Sequence, residues 1–177
     1  MPNWCDNTVM IKGSKEEIVT LRNKLHDYTN KNPFDFEAIL PCPQLLRAES
    51  APQRNQQRAA ILNKKYGASD WYDWCNSNWG TKWNSSDTQI TAEYGDDNEY
   101  VVAYSFQTAW APPLPLYSIL AKTHPNTNIY VCFDESGCEF SGWRYYAGGE
   151  LVSEEDYGSY YSMKLHMEPD SDIWDYV

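Results

Sequence analysis

A chain of 177 residues with 42% apolar and 22% charged residues has the size of one domain and enough apolar surface for one core, which excludes the disordered and fibrous classes. The net charge of −11 is uneven: residues 1–70 hold ten Lys/Arg against eight Asp/Glu, and residues 71–177 hold four against seventeen. An acidic second half repels phosphate backbones, so nucleic acid is an unfavoured partner; with no 18-residue apolar run and no basic-then-apolar leader, we expect a cytoplasmic protein without membrane contact.

The segment Thr8–Gly13 alternates Val9 and Ile11 with Met10 and Lys12 and predicts a strand ended by Gly13. Ser14, with Glu17 three residues on, caps a helix whose inner face is Ile18, Leu21, Leu25 and Tyr28, leaving Arg22, Lys24 and His26 to solvent. Phe34–Pro41 (FDFEAILP) reads as a second strand. Pro41 and Pro43 then rigidify its exit, since neither donates to a ladder. A helix is expected over about Gln53–Lys65, with Ala60, Ile61 and Leu62 inside and Gly67 at its C-terminal side. A shorter helix capped by Ser69 places Trp71, Trp74, Cys75 and Asn78 at three- and four-residue spacing and ends at Trp79–Trp83, WGTKW.

Thr88–Tyr94 and Glu99–Thr108 form a hairpin around Gly95–Asn98. WAPPLP breaks the extended pattern, Pro115 suits a first helical turn, and Leu116, Ile119 and Leu120 supply a short apolar stripe. Asn128–Asp134 and Cys138–Tyr145 make the last principal hairpin. This order is that of an elaborated split βαβ unit: an α+β fold, a ferredoxin-like antiparallel sheet with helices on one face. The domain spans residues 1–149 with a helical insertion at about 42–86. Residues 150–177 are an acidic extension with Tyr157, Tyr160, Tyr161, Trp174 and Tyr176, packed on or near the same domain.

No catalytic constellation emerges. Cys5, Cys42, Cys75, Cys132 and Cys138 form no CxxC pair and read as structural thiols, and His26, His124 and His166 lack metal-ligand spacing, so neither metal nor cofactor is expected. A nucleophilic Cys5 would need a base that only the fold could bring. Adjacent Asp134 and Glu135 in a strand point to opposite faces, and Gly137, Gly142, Gly148 and Gly149 make no phosphate loop. What stands out is the pair WGTKW and Thr108–Pro113 (TAWAPP), both at element edges. One reading makes them a binding platform; the other has Trp83 and Trp110 stapling the insertion to the sheet, with Lys82 snorkelling outward. Lys82 is read as an exposed or cation–π-paired ammonium in preference to a desolvated base.

PNWCDN, FDFEAILPCP, DWYDWCNSNWGTKWN and FQTAWAPPLP together resemble the Api92-like, YubB ferredoxin-like family of phage- and plasmid-associated bacterial proteins, over Pro2–Trp143. The resemblance implies a ferredoxin-like sheet and a mobile-element setting, and it brings no catalytic residue with it. It makes Trp4, Asn7, Pro41, Pro43 and Gly80 part of one shared pattern with the two aromatic segments. The expected function is that of a non-enzymatic accessory or protein-interaction protein, binding through Trp79, Thr81, Lys82, Trp83, Trp110, Pro112 and Pro113. Its partner would be a host or mobile-element protein, drawn to the acidic second half by basic charge. Two alternatives stay open. One is an enzyme with a small-molecule ligand between the two segments, using Lys82 and Asp134, Glu135 or Glu139; the other is stacking of single-stranded nucleic acid on sheet aromatics.

Overall fold

Alternation begins earlier than expected, at Trp4, and β1 (Trp4–Gly13) runs through the middle of one sheet. The computed structural model, which describes residues 2–158, continues with α1 (Lys15–Leu25), α2 (Phe36–Ile39), α3 (Gln44–Arg47), α4 (Gln56–Tyr66) and α5 (Trp71–Trp79). Then come β2 (Ser86–Gly95), β3 (Tyr100–Ala109), α6 (Leu114–Thr123), β4 (Asn128–Glu135), β5 (Phe140–Ala147) and β6 (Glu150–Tyr157). The strand order is β2-β3-β1-β4-β5-β6, with every neighbouring pair antiparallel. Strands β2-β3-β1-β4, crossed over by α1 and α6, are the split βαβ plan. The helical insertion lies between α1 and β2, and β5 and β6 widen the sheet.

The segment FDFEAILP is a correction. It forms the short helix α2 instead of a strand, because the Asp35 carboxylate accepts the Glu37 backbone N–H at 3.1 Å and caps it. Phe34, just before the cap, and Phe36, in the first turn, are both fully buried, with their rings edge to face, 6.3 Å apart. Tyr28 is 67% exposed because α1 stops at Leu25 and Asp27 turns the chain, accepting the Thr29 and Asn30 N–H groups. In α4 only Leu62 is buried, and Ile61 faces solvent. The cap of α5 is Asp70, one residue after the expected Ser69, and its carboxylate also accepts the Gln53 N–H.

Period-two alternation sorts the sheet into two faces. Cys5, Val9 and Ile11 join Val102, Tyr104, Phe106, Ile129, Val131 and Phe133 beneath the helices in the main core. Met10, Val101, Ala103 and Cys132 form a separate cluster on the other face. The acidic strand β6 is held to β5 by Arg144, whose buried guanidinium pairs with Glu154 at 2.8 Å and Asp156 at 2.7 Å. The basic residues of the first half are likewise engaged: Arg47 pairs with Glu37 and Arg58 with Glu49. No helix among the described residues is long and apolar enough to cross a membrane.

Candidate functional site

The start of β1, the end of β3 and the link from α5 to β2 meet at one end of the sheet. A buried hydrogen bond joins the two aromatic segments there: Thr81 Oγ1, 1% exposed, donates to the Ala109 carbonyl at 2.9 Å. Gly80 adopts φ of 83°, and a Cβ at this position would lie 3.0 Å from Pro115 Cδ and 3.1 Å from the Pro112 carbonyl oxygen. Only glycine combines that backbone with that approach. Trp79 is fully buried, with its Nε1–H donating to the Leu40 carbonyl at 2.8 Å and its ring edge-on to Phe36 and Trp74. Pro112 and Pro113 are buried where α6 begins.

A buried polar relay supports the second segment from below. Tyr117 of α6 donates to Asn7 Oδ1 at 3.0 Å, Asn7 Nδ2 donates to Thr108 Oγ1 at 2.9 Å, and Thr108 Oγ1 donates to the Ala111 carbonyl at 2.8 Å. The relay holds the chain as it turns out of β3. Trp110 follows immediately, with φ of 73°, a left-handed conformation unusual for a tryptophan, and its backbone N–H bonded to the Asn3 carbonyl. The indole is 47% exposed.

Seven residues singled out in the sequence therefore divide in two. Trp79, Thr81, Pro112 and Pro113 lie inside; Trp83 and Trp110 lie outside, with Lys82 half-buried. Lys82 Nζ sits 4.0 Å from the centroid of the Trp83 ring, a cation–π contact. Trp4, which sequence reasoning left in the shared pattern without a role, completes the surface with its ring 6.2 Å from that of Trp83. The β1–β3 register sets it opposite Ala109, a neighbour that only strand pairing supplies. Tyr117 was missed because nothing in a helical stripe marks one hydroxyl as the partner of a strand asparagine.

The groups considered for chemistry are dispersed. Burial pushes the Cys5 thiol up to about 12, and does the same to Cys75. Asp134 stands opposite Asp6 on the helix-free face, whereas Glu135 turns to the other side and accepts the Gly137 and Cys138 N–H groups. Burial works to raise the Glu135 pKa, but those hydrogen bonds outweigh it and hold the carboxyl below its ordinary value. His26 stacks on Tyr28, His124 closes α6, and His166 lies outside the described residues. Among the described residues, no three His, Cys, Asp or Glu side chains gather as metal ligands would.

Residues 78–175 match the family model described as a ferredoxin-like domain in Api92-like protein. The crystal structure of a protein api92 from Yersinia pseudotuberculosis has the same fold, with a TM-score of 0.55 at 11% identity over 90% of this chain and 99% of that one. No curated protein matches.

Proposed function

The chain belongs to the Api92-like family of phage- and plasmid-associated proteins through a ferredoxin-like domain over residues 78–175, and on that premise we propose that it is a non-enzymatic accessory protein that binds another protein through the Trp4, Trp83 and Trp110 end of its sheet. The observation that carries this reading is the exposure of three tryptophans, 37%, 41% and 47%, on a rigid base of buried hydrogen bonds. Exposed indoles on a fixed frame lose little conformational entropy on binding, and tryptophan dominates interface hot spots. The left-handed backbone at Trp110 supports the same reading, since strain of this kind persists where function holds a side chain out. Lys82 contributes directed charge beside the apolar rings. The acidic exposed groups of β6 and of the Asp96–Glu99 turn favour a basic partner and speed its encounter.

The enzyme alternative draws less support, because described side chains fill the seam between the two segments: Gly80 lies against the prolines, and Thr81 is bonded to Ala109. The test is quantitative capture from bacterial lysate by the full chain and by a folded Trp83→Ala/Trp110→Ala variant, at low and raised salt. A partner retained by the parent and lost in the variant is expected. Equal retention by both would overturn the assignment of the surface, and no retention above control would overturn the interaction reading itself.

A further inference from the structure

Two thiols meet inside the helical insertion. Cys42 stands between Pro41 and Pro43 in the link from α2 to α3, Cys75 lies in the middle of α5, and both belong to the main core, 3% and 0% exposed. They are 33 positions apart in the sequence and hydrogen-bonded to each other through their side chains, as free thiols. Each is presented by a fixed piece of backbone. The Cys42 N–H donates to Glu37 Oε2 at 2.7 Å between two prolines, and α5 is held at its start by the Asp70 cap. Glu37 also pairs with Arg47, whose guanidinium lies 5.1 Å from the centre of the Trp79 ring and acts on both sulfurs.

The two thiols are not equivalent. Burial pushes Cys75 up to about 12 and raises Cys42 as well. At Cys42, however, the Arg47 guanidinium and the S–H donated by Cys75 both favour the thiolate, whereas the same hydrogen bond works against ionisation of Cys75. The thiolate is the nucleophile in thiol oxidation. Cys42 is thus the attacking sulfur, with Cys75 placed to resolve what forms on it.

We propose that Cys42 and Cys75 are a redox pair, oxidised by a hydroperoxide to a disulfide that fastens α5 to the link between α2 and α3. With hydrogen peroxide, the Cys42 thiolate attacks one oxygen, the O–O bond breaks, and the departing hydroxide takes up the proton that Cys42 lost. Cys42 is left as a sulfenic acid. The Cys75 sulfur then attacks the Cys42 sulfur and the S–O bond breaks, so that the second oxygen leaves as water with the Cys75 proton. Two thiols give up two electrons and two protons, and one peroxide becomes two waters. Arg47 and Glu37, with side chains 35% and 33% exposed, flank the pair, and local opening of the one-turn helix α3 admits the oxidant. The bond closes the stretch that holds α3 and α4.

The test treats the folded full chain with hydrogen peroxide, quenches it, and maps peptides without reduction. The expected product is an intramolecular Cys42–Cys75 linkage that dithiothreitol reverses. Peroxide that oxidises exposed Cys138 and leaves Cys42 and Cys75 unlinked overturns the pair. In the Cys75→Ala variant a sulfenic-acid trap should label Cys42 at least about tenfold more than it labels Cys75 in Cys42→Ala; the reverse ratio overturns the assignment of roles. The oxidised parent should unfold at a urea midpoint about 1–2 M above the reduced one. A linked chain whose midpoint is unchanged or lowered overturns the fastening.

Discussion

Replacing Trp79 and Trp83 separately by alanine tests whether one five-residue motif holds two different jobs. Trp79 is 0% exposed, packs edge-on to two aromatic rings, and lies beneath the Arg47 guanidinium at 5.1 Å. Truncating a buried aromatic costs about 3–5 kcal/mol in transfer and cavity terms. The Leu40 carbonyl, deprived of the indole N–H, adds roughly 1 kcal/mol. Trp79→Ala should therefore cost about 4–6 kcal/mol, a large share of the stability of a typical domain. Trp83 is 41% exposed and touches mainly Trp4 and Lys82, so its removal should cost about 1 kcal/mol or less. Urea unfolding followed by far-ultraviolet circular dichroism reads the difference. With a slope of about 2 kcal/mol per molar, the midpoint should fall by roughly 2–3 M for Trp79→Ala and by about 0.5 M or less for Trp83→Ala. Equal shifts would refute the division of the motif into a buried staple and an exposed surface.

Gly80 and Gly67 both have left-handed φ, at 83° and 74°, but a Cβ at Gly67 meets nothing within 4 Å. Gly67→Ala should cost about 1 kcal/mol and Gly80→Ala roughly 2–3 kcal/mol through its added proline contacts, as thermal unfolding would show; indistinguishable values would remove the close approach as the reason for glycine. Asn7→Ala strands the Tyr117 hydroxyl inside the core, while Thr108 keeps its bond to the Ala111 carbonyl, and should cost about 2–3 kcal/mol, with a non-zero coupling to Tyr117→Phe in a double-mutant cycle; strict additivity would show that the relay is not one network. Glu135 has a lowered carboxyl pKa in the folded state. Its contribution is therefore full above the unfolded carboxylate range, near about 4.3, and lost as pH falls through the lower folded value. The stability gap between the parent and Glu135→Gln should narrow on acidification, and a gap constant from neutral to strongly acidic pH would argue against that role.

The periodicities carried the sheet. The strand alternation of Val9 and Ile11, the turn residues around Gly95, and the stripe of Leu116 and Leu120 each depend on nearest neighbours, and their order defines a split βαβ unit before any packing is considered. FDFEAILP misled because its two phenylalanines, two residues apart, fit a strand equally well, and the Asp35 cap that favours the helix is braced at a distance: Asn84, far along the chain, donates to the Asp35 carboxylate at 2.6 Å and accepts the Phe36 N–H at 2.9 Å. Ile61 misled for the opposite reason, since an apolar side chain in a helix is buried only if another element lies against it.

The candidate site was half visible in the same way. Sequence alone marked WGTKW and TAWAPP as unusual and placed both at element ends, because tryptophan, glycine and proline announce themselves by residue type. Tertiary structure decided which tryptophan is a staple and which is a surface. Trp79 turns inward because α5 sets it against Phe36 and the Leu40 carbonyl, and Trp110 turns outward because Thr108, Asn7 and Tyr117 hold the strand end beneath it. Residue type sets what a side chain can do; burial and partners, contributed by residues tens of positions away, determine which of those things it does.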